Sequence, residues 1–153
     1  MYYQSVNGIE EKHILISDRG LAYGDGVFTT AKVLNGKVQS LTAHLERLMD
    51  SCKKLNIVLL DVDKVAIELT NVALRFELAV VKVMITAGQG GRGYSRQGCS
   101  SSNVIITFHH FPEHYHLWQQ KGVELGLSNF KLGLNPSLAG LKHLNRLEQV
   151  MIR

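Results

Sequence analysis

Lys142 stands in Gly140-Leu141-Lys142-His143, between a turn and the start of a helical pattern. A strand end there could aim its amine into a cleft, and burial beside a second cation would lower its pKa enough for covalent chemistry with a carbonyl. A lone lysine beside a histidine is also an ordinary surface residue. Arg47 follows His44 by three residues in the pattern His-x-x-Arg-Leu, between Leu45 and Leu48 of an apolar stripe. Its planar fork suits a phosphate, although an arginine at a helix edge can simply snorkel to water. The third candidate is the loop Gly88-Gln89-Gly90-Gly91-Arg92-Gly93-Tyr94-Ser95-Arg96. Its glycines let backbone amides approach an anion, and Arg92 and Arg96 add charge. It lacks the Gly-Lys-Ser/Thr ending of a P-loop, and no helix opens after it as in a dinucleotide fingerprint. A mobile connection between strands is the plainer alternative.

Other clusters carry less. His109, His110, Glu113, His114 and His116 crowd together, but Pro112 argues against a helical face that would bring His110 and His114 onto one metal. No metal is expected. Cys52 lies on an apolar stripe, and Cys99 lies in the glycine loop with no base nearby in sequence. Two unpaired thiols and no apolar leader suggest a reducing, cytoplasmic setting. The 153 residues are 45% hydrophobic and 20% charged, which excludes a disordered chain, and the net charge is +4. That excess could attract an anionic small molecule. It is too scattered for nucleic acid, and no apolar run is long enough for a membrane span.

These residues need elements to hold them. Alternation around Asn7-Gly8 and Asn35-Gly36 predicts two hairpins. Leu41, Leu45, Leu48, Cys52 and Leu55 step at helical period, with Ser40 as N-cap and Asn56 at C′. A second stripe, from Val62 to Phe76, follows Asp61 as N-cap. Residues 79–86 are almost continuously apolar and predict a buried strand, and 102–110 another. Residues 17–26 and 87–102 are expected as loops, 112–122 as a connector and 123–130 as a strand. A turn at 135–140 leads into a helix still in mid-pattern at the chain end. The fold class is α+β: an N-terminal mixed-sheet domain over 1–110, a connector over 111–120, and the start of a second domain over 121–153.

The stretches SDRGLAYGDGVFTTAKVLNGKV, AHLERL, GGRGYS and NPSLAGLKHLNRLEQV, in that order over nearly the whole chain, resemble fold-type IV pyridoxal-phosphate enzymes. The looser frame is shared by branched-chain and D-amino-acid aminotransferases. Phe28-Thr29-Thr30, the GGRGYS loop and LKHLNRLEQV are more like the aminodeoxychorismate lyases. The resemblance implies a D-amino-acid-aminotransferase-like fold and pyridoxal 5′-phosphate as cofactor. It implies that Lys142 carries the cofactor and shuttles protons, and that Arg47 grips its phosphate. Arg92 and Tyr94 would bind a substrate carboxylate, and Phe28 would line the pocket. It further implies a homodimer, with elimination of pyruvate from an aminated chorismate to leave p-aminobenzoate; an aminotransferase is the alternative. Ala87 departs from the arginine many relatives carry there. Relatives of this kind run to nearly twice this length. The chain is therefore expected to be the N-terminal portion, with a truncated second domain and no acid to pair with the pyridine nitrogen. By itself it is expected to be inactive.

Overall fold

The computed structural model describes residues 2–58, 61–99 and 101–152. Both hairpins form as their turn chemistry requires. β1 (Tyr3–Val6) meets β2 (Ile9–Glu10) through Asn7 at φ 54° and Gly8 at φ 81°. β3 (Gly26–Leu34) meets β4 (Lys37–Val38) through Asn35 at φ 49° and Gly36 at φ 74°. Two successive positive φ angles match the right-handed twist of the flanking strands. With β5 (Leu78–Thr86) and β6 (Asn103–His109) these strands form one six-stranded sheet in the order β2-β1-β6-β5-β3-β4. The α+β class stands, but the sheet is not mixed: every strand pairing among the described residues is antiparallel.

One face of the sheet is covered and the other is open. Val27, Ala31, Val33, Val81, Val83, Ile85, Ile106 and Phe108 alternate onto the covered face and are buried. Against them pack Leu48 and Cys52 of α2 (Leu41–Lys54), and Val65, Leu69 and Val72 of α3 (Val62–Ala73). Each buried Val, Leu, Ile or Phe among them contributes about 1.5–3 kcal/mol of transfer free energy, so this layer holds the fold together. Phe28, Lys82 and Met84 alternate onto the other face and stay half-buried, with Thr30 exposed beside them. The apolar run at 79–86 is thus covered fully on one side only.

Asp61 caps α3 as expected, accepting from the amides of Asp63 and Lys64 at 3.1 and 3.3 Å. The helix stops at Ala73, short of the Phe76 that the stripe suggested; Phe76 instead stacks on Phe108. Ser40 occupies the N-cap position of α2 at φ 54° without a side-chain cap bond, and Asn56 takes a left-handed conformation beyond its end.

The loop expected at 17–26 and the strand expected at 123–130 fail, and the expected connector proves to hold a helix. Residues 17–26 are not all loop, because Asp18 caps a short helix, α1 (Arg19–Tyr23), by accepting from the Gly20 amide at 2.7 Å. The connector holds α4 (His114–Lys121), which begins two residues beyond Pro112, where a proline no longer interrupts the ladder. Residues 123–130 form no strand. Leu125 and Leu127 are 91% and 103% exposed, and among the described residues the segment has no strand edge with which to build a ladder. After a turn, the last described helix is α5 (Leu147–Met151). No helix of the described residues is long and apolar enough to cross a membrane.

Candidate functional site

Lys142 is placed by the free edge of β3, not by a helix start. β4 covers that edge only at Val33 and Leu34. Farther along, the segment 142–144 lies against it: the Phe28 amide donates to the Lys142 carbonyl at 2.8 Å, the Leu144 amide donates to the Gly26 carbonyl at 2.9 Å, and Val27 bridges His143. The approach is possible because residue 26 is glycine. A Cβ there would sit 2.5 Å from the Ile85 carbonyl oxygen and 2.7 Å from a Leu144 methyl. Asn145 also donates to the Gly24 carbonyl at 3.3 Å. The segments Gly24-Asp25-Gly26 and Lys142-His143-Leu144-Asn145, more than a hundred residues apart, therefore form one contact.

This placement sets Lys142 over an aromatic face among other cations. Its Nζ lies 4.5 Å from the Phe28 ring centre, with Lys82 Nζ at 5.2 Å and the Arg146 guanidinium at 5.5 Å from the same ring. Burial lowers the Lys142 pKa, and the charges of Arg146, Arg47 and Lys82 lower it further. Arg146 also fixes the backbone on both sides of the lysine, donating to the His143 carbonyl at 2.9 Å and the Leu141 carbonyl at 3.2 Å. Among the described residues no carboxylate pairs with Lys142, Lys82, Arg146 or Arg47. The Nδ1 of His143 is buried and has no hydrogen-bond partner among the described residues. Sequence reasoning missed Lys82 and Arg146. A single charge inside the apolar run AVVKVMIT was the available signal for the first. The second follows Lys142 by four residues, with no spacing rule to mark it.

Arg47 reaches the site from α2. With Glu46, Asp50 and the 140–141 turn it lines an open cleft of about 640 Å³, immediately before Lys142. Its guanidinium donates to Thr29 Oγ1 and, at 3.0 Å, to His44 Nδ1.

The glycine loop divides its arginines. Arg19, 3% exposed, pairs with Asp25 at 2.8 Å and donates to the carbonyls of Gly93, Tyr94 and Ser95 at 3.0–3.2 Å. Arg96 pairs with the same Asp25 and caps the end of α2 at the Leu55 and Asn56 carbonyls. Burial pushes the Asp25 carboxyl up, but the hydrogen bonds from Arg96 and Arg19 outweigh it and hold the pKa below the usual value. Arg96 is thus internal wiring, contrary to its expected role as charge for an anion. Arg92 is exposed and has no partner among the described residues, and Tyr94 is 89% exposed with its ring against Tyr23. Tyr94 shares a cleft of about 360 Å³ with His143 and Asn145, while Arg92 does not line it.

Residues 26–153 match the amino-transferase class IV family model. The chain belongs to the amino-transferase class IV family. The aminodeoxychorismate lyase of Vibrio harveyi is 40% identical over 97% of this chain and 55% of its own length. The crystal structure of 4-amino-4-deoxychorismate lyase from Pseudomonas aeruginosa superposes with a TM-score of 0.86 at 40% identity, over 98% of this chain and 55% of that one. A branched-chain amino acid aminotransferase from Escherichia coli gives a TM-score of 0.80 at 19% identity over 97% of this chain and 53% of that one, a likeness of fold alone. The chain spans about half the length of these class IV relatives.

Proposed function

We propose that this class IV protein is a pyridoxal-phosphate-dependent lyase that converts 4-amino-4-deoxychorismate to p-aminobenzoate and pyruvate, a step in folate biosynthesis. The observation that carries the reading is the set of unneutralised cations around Phe28, in a chain 40% identical to an aminodeoxychorismate lyase. Three positive side chains over one ring, with the charge of Arg47 also acting on Lys142, suit a phosphate-bearing cofactor and an anionic substrate, since neighbouring cations repel one another until an anion joins them.

Lys142 and Arg47 are the residues that would hold pyridoxal phosphate, through the amine and through a charge-assisted grip on the phosphate. When bound, that cofactor supplies an electron sink for bond cleavage at the carbon bearing the substrate nitrogen. Lys142, with its pKa lowered, is the base that takes the proton from that carbon. Phe28 supplies a flat wall that keeps the amine from bulk water. Arg92 and Tyr94, on a loop fastened by Arg19, are proposed to meet a substrate carboxylate. We further place residues 1–110 in an N-terminal domain, 111–120 in a connector and 121–153 in the start of a cofactor-binding domain. The working form is proposed to be a cytoplasmic homodimer.

The test is to assay the whole protein on 4-amino-4-deoxychorismate for pyruvate and p-aminobenzoate, beside transfer of its amino group to a keto acid, with residues 1–153 alone, expected to be inactive, as the comparison. Pyruvate release without a keto acid is the expected result. Amino transfer that requires one would replace the lyase reading with an aminotransferase.

A further inference from the structure

We propose that His44 is a positioning residue for Arg47: its unprotonated Nδ1, together with Thr29 Oγ1, holds the guanidinium in place for an incoming phosphate. The inference rests on the reading of Arg47 as the phosphate ligand and adds the device that orients it.

A guanidinium only donates hydrogen bonds. Its two partners here, Thr29 Oγ1 and His44 Nδ1, must therefore accept. An accepting Nδ1 fixes the tautomer, with the proton of the neutral ring on Nε2. Thr29 Oγ1 also lies 2.7 Å from that Nδ1, so the three groups form a closed triangle. Thr29 is 2% exposed on the covered face of β3, which makes it a rigid anchor.

Without this anchor Arg47 has another option. Asp50 stands three residues on along the same helix and lines the same cleft, a spacing at which opposite charges pair. No such pair forms. Held toward β3 by the triangle, the guanidinium keeps its remaining donors unneutralised.

The device depends on protonation. His44 lines a small pocket walled by β3, β4, β5, α2 and α3, and none of the other lining side chains is titratable. Among the described residues, Arg47 is the one charge that acts on it. Burial, and then the Arg47 charge, lower its pKa from the ordinary 6.5, so at neutral pH the ring is uncharged and accepts. A proton on Nδ1 in acid would turn the acceptor into a donor facing a cation, and the guanidinium would leave the anchor.

The experiment titrates the wild-type protein and the variants His44→Leu, His44→Asn and Arg47→Gln with pyridoxal 5′-phosphate, and in parallel with pyridoxal, which lacks the phosphate. His44→Leu removes the acceptor. His44→Asn restores an acceptor oxygen near the Nδ1 position without a titrating group, and circular dichroism melts check that each variant folds. His44→Leu should weaken pyridoxal 5′-phosphate binding on the order of tenfold, the size of one charge-assisted hydrogen bond, and leave pyridoxal unchanged. His44→Asn should recover most of that affinity. It should also lose the acid decline, so that the affinity of wild type relative to His44→Asn falls as the pH drops below 6.5. Equal weakening for both ligands, or Arg47→Gln weakened while His44→Leu matches wild type, overturns the proposal alone. If Arg47→Gln binds the phosphate form as well as wild type does, or wild type does not bind it, the phosphate reading falls and this inference falls with it.

Discussion

Two groups of charge in this molecule both include arginine and end in opposite states. Beside α1, Arg19 and Arg96 share Asp25, and their remaining donors are taken by backbone carbonyls of the glycine loop and of the α2 end. Beneath them Asp18 is fully buried and accepts from Thr86, Asn103 and the Gly20 amide, each at 2.7 Å. Around Phe28, by contrast, Lys142, Lys82 and Arg146 gather on the open face with no carboxylate among the described residues. A closed network holds shape, because each buried charge already has its partners. An open one holds free energy in reserve for an anion. The distinction depends on which charges are already partnered, since the count of charges is similar in both places.

The largest effect expected is at Lys142. Lys142→Ala should abolish covalent attachment of pyridoxal 5′-phosphate at this site, read by borohydride reduction and peptide mass mapping. Phosphopyridoxyl label remaining on another lysine at the wild-type level would show that the open cluster has been assigned to the wrong residue.

Next comes the closed network. Arg19→Met leaves Asp25 with one partner and strips three carbonyls of theirs, so it should destabilise the protein by about 3–5 kcal/mol. It should also loosen residues 92–96, measured as faster tryptic cleavage after Arg92. Arg92→Gln, on an exposed side chain without a partner, should leave the melting curve unchanged. Similar losses for the two variants would erase the contrast between closed and open charge.

A smaller effect sharpens the open side. Arg146→Met removes a cation beside Lys142, so the depressed pKa of the lysine should rise toward its ordinary value near 10.5. A lysine whose pKa is lowered is uncharged, and so reactive, over a wider range below that value. The variant should therefore shift the pH profile of Lys142 acylation upward, as competitive labelling would show. Arg146→Lys should keep the profile while losing one of the two carbonyl contacts. No shift in Arg146→Met would mean that solvent already screens the pair.

The smallest effect lies outside both regions. Asp61→Ala removes the side-chain cap of α3 and should cost about 1 kcal/mol in chemical denaturation, with pyridoxal 5′-phosphate binding unaffected. A change in that binding would tie the covered face to the open one more tightly than the packing indicates.

How much of this was legible in the sequence differs by element, for physical reasons. The Asn-Gly hairpins, the stripe from Leu41 to Leu55 and the Asp61 cap are local: turn torsions, helical period and capping act within a few residues, so a single sequence carries them. Local signals also misled, since the strand expected at 123–130 had the right composition but no edge to pair with. The order of motifs marked the family and singled out Arg47, Phe28, Arg92, Tyr94 and Lys142. Period and spacing could not show that Arg96 would be consumed by Asp25, or that Lys82 and Arg146 would stand over the same ring as Lys142. Those outcomes depend on residues far apart in the chain. Gly26 had to admit the 142–144 segment to the edge of β3, and the alternation of β3 and β5 had to turn Phe28 and Lys82 to one face. By itself the sequence determined which residues could carry charge and which segments could be helix or strand. The tertiary structure decided which charges were neutralised and which were left to act, because pairing is a matter of distance in space.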